Sequence, residues 1–280
     1  PNAAVKVIEC NLRASRTFPF ISKTFDFNFI SLATRVMAGL PAKPGTFSLV
    51  DVEYVGIKAP QFSFTRLQGA DPTLGVEMMS TGEVACFGAD MYEAFLLSMM
   101  AAGFRLPNRT RNILVSIGAT GKEALVETCA RLQRLGYNLF ATEGTRAHLA
   151  ANGVGDVTVL HKPSSGASPT VVEYLQHHKL DLVINDPGTG DRELVTDGYL
   201  IRRTAIDFGV SLITNIKCAI LLSLALERVK TLHIRAMSEY YAGDGSGASV
   251  AMPRRARGGS AAEGGAGGAT TALAPAPRVT

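Results

Sequence analysis

The sequence predicts an α/β protein with two folded units, an α+β unit in residues 1–108 and a five-stranded parallel α/β domain in residues 109–241. Three observations lead to this prediction. Short apolar runs alternate with amphipathic stretches after residue 109, Arg105 to Asn108 has the composition of a linker, and the composition changes to Gly, Ala, Pro and Arg after residue 241. Strands that alternate with helices require right-handed crossovers, which place helices on both faces of a parallel sheet.

The first unit is predicted to mix helices with extended segments. Val7 and Ile8 are typical of the end of a buried strand. Apolar residues at helical spacing predict a helix over 28–38, and the prolines of the segment 40–45 end it. Further strands are predicted at 52–58, 61–67 and 82–88, and a helix at 91–103.

The second unit alternates strand and helix from its first residues onward. Strands are predicted at 113–117, 137–141, 157–160, 182–184 and 210–213. Helices are predicted at 122–135, 146–151, 169–177 and 217–229. The carboxyl ends of parallel strands meet at one edge of a sheet, and ligands of such folds bind there. Side chains that follow these strands are therefore candidates for a binding site.

Composition limits the possible partners. The chain is 46% hydrophobic and 19% charged with a formal charge of +4, which does not by itself indicate a nucleic-acid partner. The stretch 242–280 has no aromatic residue and one Arg-Gly-Gly, so it is predicted to be a disordered tail rather than an RNA-binding segment. The four cysteines show no metal-binding spacing, and no apolar run reaches membrane-spanning length. We expect a cytoplasmic protein without a membrane or nucleic-acid partner.

The segment 7–16 carries the first candidate site. Glu9, Asn11 and Arg13 alternate, and a strand would direct all three to the same side. Carboxylate and amide oxygens suit Mg²⁺, while a guanidinium binds the phosphate charge of a nucleotide. The spacing alone fits a solvated edge strand equally well.

Longer motifs resemble a known family. The stretch 9–24 reads ECNLRASRTFPFISKT and is similar to the metal-binding strand of the ATP-grasp domains of carbamoyl phosphate synthetase. The stretch 53–88 resembles the large chain of that enzyme, closest to its eukaryotic form. The resemblance continues through FATEGT and DLVIND to about residue 235, more than four fifths of the chain.

The resemblance implies a function for the first unit. It would be the carboxy-terminal part of the second ATP-grasp domain, which phosphorylates carbamate, in a ligase that makes carbamoyl phosphate from bicarbonate, ammonia and ATP for pyrimidine biosynthesis. Glu9 and Asn11 would coordinate Mg²⁺ or Mn²⁺, and Arg13 with Arg16 would neutralise the transferred phosphoryl group and the carbamate. The ammonia would come from glutamine through an amidotransferase, and the remainder of the synthetase chain would be a partner. The adenine pocket and lid of an ATP-grasp site are missing from these residues, so we expect a fragment that is inactive alone.

The second candidate site lies where the strands of the second unit end. Five residues are predicted to converge there: Lys122, Thr142, Thr145, Lys162 and Asn185. Hydroxyls at a helix N-terminus beside two lysines favour a phosphate ligand. Taken alone, Thr145 is typical of an N-cap and Lys122 of a surface lysine.

This unit resembles the Rossmann-like, methylglyoxal-synthase-like domain that binds allosteric effectors of the synthetase. The resemblance implies that the five residues hold a nucleotide or phosphoribosyl phosphate. The loop 163–168 lacks the catalytic aspartate of methylglyoxal synthase, so lyase activity is not expected. Lys162 stands where the acetylglutamate-dependent form has an aromatic residue, which favours a UTP-like nucleotide and phosphoribosyl pyrophosphate as effectors. A standalone phosphate- or nucleotide-binding regulatory module without catalysis is the alternative.

Overall fold

A computed structural model gives the structure of the chain. It describes residues 7, 10, 12–45, 52–74, 79–118, 121–187, 196–242 and 248–251. The helices are α1 Thr17–Thr24, α2 Phe29–Met37, α3 Met91–Ala101, α4 Lys122–Arg134, α5 Glu143–Ala151, α6 Val171–Gln176, α7 Asp197–Asp207, α8 Ile216–Arg228 and α9 Met237–Ala242. The strands are β1 Val55–Gln61, β2 Gly82–Gly88, β3 Asn112–Ile117, β4 Asn138–Ala141, β5 Val157–Val159, β6 Leu182–Asp186, β7 Ser211–Ile213, β8 Thr231–Ile234 and β9 Ala248–Ala251.

The first unit is built on an antiparallel ribbon of β1 and β2, and α3 packs against both strands. Local chemistry starts its helices. The Asn28 side chain accepts a hydrogen bond from the Ser31 amide, and Asp90 accepts from the amides of Tyr92 and Glu93, so both residues cap a helix N-terminus. Helix α3 continues past the ribbon to α8, and so carries the apolar contact between the two units.

The second unit is centred on a five-stranded sheet in the order β5-β4-β3-β6-β7, and all its strand pairs are parallel. Alternate side chains of each strand enter different cores. Ile113 and Leu182, which are paired in register, face the core against α4 and α8, whereas Leu114 and Val183 face the core against α6 and α7. All four side chains are fully buried. The period of two thus explains why these runs are apolar throughout.

The predicted parallel α/β domain is confirmed, with helices on both faces of the sheet. The strand predicted at 61–67 is wrong, because β1 ends at Gln61 and residues Phe64–Arg66 form a 3-10 turn. The carbonyl groups of this segment are bonded by a side chain of α7 instead of by a neighbouring strand, as described below. Helices α1, α7 and α9 were not predicted, nor were β8 and β9. Strand β9 pairs with β8 although it lies within the range predicted as tail; residues 252–280 lie outside the described part of the chain.

The predicted strand at the start of the chain is also corrected. The described residues between 7 and 13 are not in a strand, and the side chains of Val7 and Leu12 are 85% and 96% exposed. An alternating pattern becomes a strand only when a neighbouring strand accepts its hydrogen bonds. No such neighbour is present for this segment in the described part of the structure.

Candidate anion-binding site

The five residues of the second candidate site lie at the carboxyl edge of the parallel sheet. Lys122 begins α4 after β3, and Thr142 follows β4 directly. Thr145 is in the first turn of α5, Lys162 comes after β5, and Asn185 is the penultimate residue of β6. Thr142, Thr145 and Asn185 are buried and each is only 3% exposed, while Lys122 is half-buried and Lys162 is exposed. We call the three buried side chains the floor of the candidate site and the two lysines its rim.

Two threonine hydroxyls form the floor beside β3. The Thr145 hydroxyl accepts a hydrogen bond from the Ile117 amide at 3.2 Å. The Thr142 hydroxyl lies 3.4 Å from the Ser116 hydroxyl and 3.5 Å from the Thr145 hydroxyl, which are long distances for O–H···O bonds. Thr142 is therefore buried but weakly bonded, whereas Thr145 holds the end of β3.

The N-terminus of α5 faces this floor without a side-chain cap. Thr142 occupies the N-cap position, but its hydroxyl makes no capping hydrogen bond. The first amides of a helix have no partner within the helix and attract anions. The Lys122 ammonium lies at the same point and donates to the Gly144 carbonyl oxygen at 3.1 Å. Amides, a hydroxyl and an ammonium group thus share one location.

Asn185 closes the other side of the floor. Its side-chain amide donates to the Ser116 carbonyl oxygen at 2.9 Å, and its side-chain oxygen accepts from Arg202 at 2.8 Å. Gly118, at the end of β3, is required by close packing, because a Cβ there would lie 2.9 Å from the Pro187 carbonyl oxygen. The ends of β3 and β6 are thereby held together.

Two carboxylates near the rim are already engaged. His161 lies 2.6 Å from Glu143, and hydrogen bonds from the Glu143 backbone amide and from His161 hold the pKa of Glu143 below its ordinary value, with a smaller contribution from Lys162. Asp197 accepts from the Ser164 amide at 3.0 Å and from its hydroxyl at 2.7 Å. Both carboxylates thus have hydrogen-bond donors of their own.

The loop 163–168 itself contains no carboxylate, as the sequence shows. Asp197 reaches this loop from α7, a contact that sequence reasoning missed. Both of its oxygen atoms are bonded to Ser164, so it is bound as a structural partner of the loop.

The first candidate site is described only in part. Glu9 and Asn11, the predicted metal ligands, lie outside the described residues. Arg13 and Arg16 are exposed, and Arg13 donates to the neighbouring Ala14 carbonyl oxygen at 3.5 Å. Within the described ranges, no group of three His, Cys, Asp or Glu side chains is placed to hold a metal ion, and no helix is both long and apolar enough to cross a bilayer.

Sequence reasoning missed two residues of the second site. Ser116 binds Asn185 through its carbonyl group and lies beside Thr142, and Arg202 bonds the Asn185 side chain from α7. A serine inside the apolar run of β3 was an available signal for Ser116. Arg202 gave none, because α7 was not predicted and its approach to Asn185 depends on how it packs on the sheet.

A family model matches most of the second unit. Residues 124–214 match the model of the MGS-like domain family. A crystal structure of methylglyoxal synthase from Elizabethkingia anophelis NUHP1 gives a TM-score of 0.34 at 15% identity, covering 40% of this chain and 76% of that one. The assignment of the domain therefore rests on the family match and on the observed sheet.

Three relatives match well beyond that domain. The chain is 46% identical over 239 residues to the multifunctional protein URA2 of Saccharomyces cerevisiae, a match that covers 82% of this chain and 11% of that protein. It is 44% identical over 256 residues to the multifunctional protein CAD of Squalus acanthias, with coverage of 84% and 11%. It is 40% identical over 246 residues to the mitochondrial carbamoyl-phosphate synthase (ammonia) of Rattus norvegicus, with coverage of 84% and 16%. The chain thus spans about a tenth to a sixth of the length of these relatives.

Proposed function

We propose that this chain binds a phosphate-bearing allosteric effector at the carboxyl edge of its parallel sheet. The chain is related to a segment of carbamoyl phosphate synthetase-containing proteins and includes an MGS-like domain. The effectors are a UTP-like nucleotide and phosphoribosyl pyrophosphate. Lys122, Thr142, Thr145, Lys162 and Asn185 hold them. The observation that carries this proposal is the weakly bonded, buried Thr142 hydroxyl beside the uncapped N-terminus of α5 and the Lys122 ammonium.

A phosphate group would improve the hydrogen bonding of this edge. The Thr142 hydroxyl would exchange contacts of 3.4 and 3.5 Å for a short bond to a charged oxygen. A hydrogen bond to a charged group contributes about 1.5–3 kcal/mol, more than a neutral one. The amides in the first turn of α5 other than that of Glu143, which already bonds the Glu143 carboxylate, would gain an acceptor as well. The Lys122 ammonium, now on a neutral carbonyl, would gain an anionic partner.

Lys162 distinguishes among effectors. It is exposed, follows β5 at the same edge, and is near enough to Glu143 to contribute to the lowered pKa of that carboxyl group. An ammonium group there suits the charge of a pyrophosphate or triphosphate better than an uncharged acetyl group. This favours a uridine nucleotide and phosphoribosyl pyrophosphate over acetylglutamate.

For the first unit, we propose the carboxy-terminal part of an ATP-grasp domain that phosphorylates carbamate. Glu9 and Asn11 have the oxygen donors that Mg²⁺ or Mn²⁺ accepts, and Arg13 and Arg16 provide positive charge for phosphate. When bound, the metal ion would neutralise the phosphate charge of ATP. The exposure of both arginines leaves them accessible to substrate or to other parts of a longer protein. The full reaction would use bicarbonate, ATP and ammonia released from glutamine, in the cytoplasm and for pyrimidine synthesis.

The extent of the matches supports this proposal over a standalone binding module. The family match covers residues 124–214, whereas the similarity to URA2 covers 82% of the chain. The similarity therefore includes residues outside the MGS-like domain, in the unit for which the synthetase role is proposed.

Isothermal titration calorimetry on the 280-residue chain tests the effector proposal. UTP and phosphoribosyl pyrophosphate are expected to bind saturably and to compete with each other, and N-acetylglutamate is expected not to bind. Thr142→Val removes one hydroxyl of the proposed site and keeps the shape of the side chain, and it is expected to weaken UTP binding. Binding of N-acetylglutamate without binding of UTP would overturn the proposal.

A further inference from the structure

Helix α7 connects the candidate site with the first unit. Three of its side chains, those of Tyr199, Arg202 and Arg203, contact the segment 63–74, named here loop 63–74. The Tyr199 hydroxyl donates to the Gly69 carbonyl oxygen at 2.9 Å. Arg203 donates to three carbonyl oxygens of the loop, those of Phe64 at 3.2 Å, Leu67 at 2.9 Å and Ala70 at 3.1 Å. Positions i, i+3 and i+4 lie on one face of a helix, so it is this face of α7 that contacts the loop.

The third of these side chains, Arg202, has partners in both units. Its Nε and Nη2 atoms bind the two carboxylate oxygens of Asp71 at 2.8 and 2.6 Å, a bidentate pair. Its Nη1 atom donates to the Asn185 side chain at 2.8 Å. The Arg202 side chain is 4% exposed, whereas that of Asp71 is 37% exposed. One buried guanidinium therefore joins the floor of the candidate site to loop 63–74.

Asp71 is held as a carboxylate by this contact. Burial alone would raise the pKa of Asp71, but hydrogen bonds from Arg202 and Thr73 outweigh that effect and lower it. Gly198, in the first turn of α7, packs closely against the guanidinium, since a Cβ there would lie 3.0 Å from the Nη1 atom of Arg202. An anion that reaches Asn185 would thus approach a guanidinium already neutralised by Asp71.

We propose that Arg202 is a positioning residue through which an anionic effector at Asn185 and the Asp71 carboxylate compete. The bound anion attracts the guanidinium, which already bonds Asn185, and weakens its hold on Asp71 of loop 63–74. This inference rests on the effector site proposed above. Because coupling free energy is reciprocal, an effector that weakens the contact between Arg202 and Asp71 must itself bind more tightly when that contact is absent.

The test compares two variants of the 280-residue chain in calorimetry with UTP. Asp71→Asn removes the competing charge and is expected to tighten UTP binding by about 5-fold or more, the lower end of typical coupling. Tyr199→Phe is the matched control: it removes a contact to the same loop without changing charge, and its affinity is expected to stay within about 2-fold of the parent value. Tighter binding is informative because a merely loosened fold would weaken binding instead.

Hydrogen–deuterium exchange of the unsubstituted chain provides a second measurement that needs no variant. Saturating UTP is expected to speed exchange in loop 63–74, where the Thr73 amide bonds to Asp71 at 3.0 Å. Unchanged or slower exchange there would overturn the inference. So would an unchanged or weakened affinity of Asp71→Asn, or equal tightening in both variants. Failure of the parent chain to bind UTP and phosphoribosyl pyrophosphate would instead overturn the proposed function, and the inference with it.

Discussion

Two threonines of the candidate site should separate ligand binding from folding. Thr142 and Thr145 are equally buried, but their hydroxyl groups differ in their hydrogen bonds. The Thr142 hydroxyl makes contacts at 3.4 and 3.5 Å and does not cap α5. The Thr145 hydroxyl accepts from the buried Ile117 amide. Substitution by valine keeps the branched shape of each side chain and removes only the hydroxyl.

The expected magnitudes follow from these contacts. Thr142→Val should change the free energy of unfolding by less than about 1 kcal/mol, because no strong hydrogen bond is lost. It should weaken UTP binding by about 10- to 100-fold, since a hydrogen bond to a charged group contributes about 1.5–3 kcal/mol and 1.4 kcal/mol is a factor of ten. Thr145→Val should lower the free energy of unfolding by about 1–3 kcal/mol, because it leaves the Ile117 amide without its acceptor.

Urea unfolding and calorimetry with UTP on both variants measure the two effects. Equal m-values in urea would show that the variants unfold from the same compact state. If Thr142→Val were as destabilised as Thr145→Val while binding UTP normally, the reasoning about the weakly bonded hydroxyl would be refuted. Ser116→Ala serves as a further control for the third hydroxyl at this position, 3.4 Å from Thr142.

Three further predictions concern stability, pH and reactivity. Arg203→Met should lower the free energy of unfolding by about 2–4 kcal/mol in urea titrations, because three carbonyl groups lose their donor; Asp207→Asn, at an exposed partner of Arg203, should cost less than about 1 kcal/mol. Glu143→Gln should flatten the acid limb of stability, because the contribution of a carboxyl group with a lowered pKa is present above its unfolded-state value of about 4.3 and disappears as pH falls through the folded-state value; melting temperatures from pH 2 to 6 should converge with those of the parent at the acid end, and a constant difference would contradict this. Burial raises the pKa of the Cys129 thiol to about 12, so iodoacetamide at pH 8 should modify exposed Cys10 in the folded chain and Cys129 only in guanidinium; rapid native labelling of Cys129 would contradict its burial.

Local pattern was sufficient for most of the second unit. Its strands are apolar on both faces, and α6, α7 and α8 begin at residues whose side chains cap them, so most of these boundaries are specified by residues close in sequence. Thr170 and Glu173, for example, form a complete capping box that fixes the start of α6. The position of Thr142, Thr145 and Asn185 at one edge followed from the rule that parallel strands end together.

Elements that depend on distant partners were not predictable in this way. Loop 63–74 carries a strand-like sequence, but Arg203, more than a hundred residues away, bonds its carbonyl groups. Helix α7 contains adjacent buried arginines, which a helical pattern would place in solvent. The two features explain each other: loop 63–74 supplies the acceptors that allow the guanidinium groups of α7 to be buried, and these groups in turn bond the carbonyl groups of the loop.

The sequence by itself determined the parallel α/β domain, its five parallel strands and the set of polar residues that follow them. These depend on side-chain periodicity and on local hydrogen bonding, which act over a few residues. Only the tertiary structure decided that Thr142 is weakly bonded, that Thr145 is not, and that Arg202 joins Asn185 to Asp71. Such differences depend on distances of a few tenths of an ångström between groups far apart in the chain, which packing sets and sequence spacing does not.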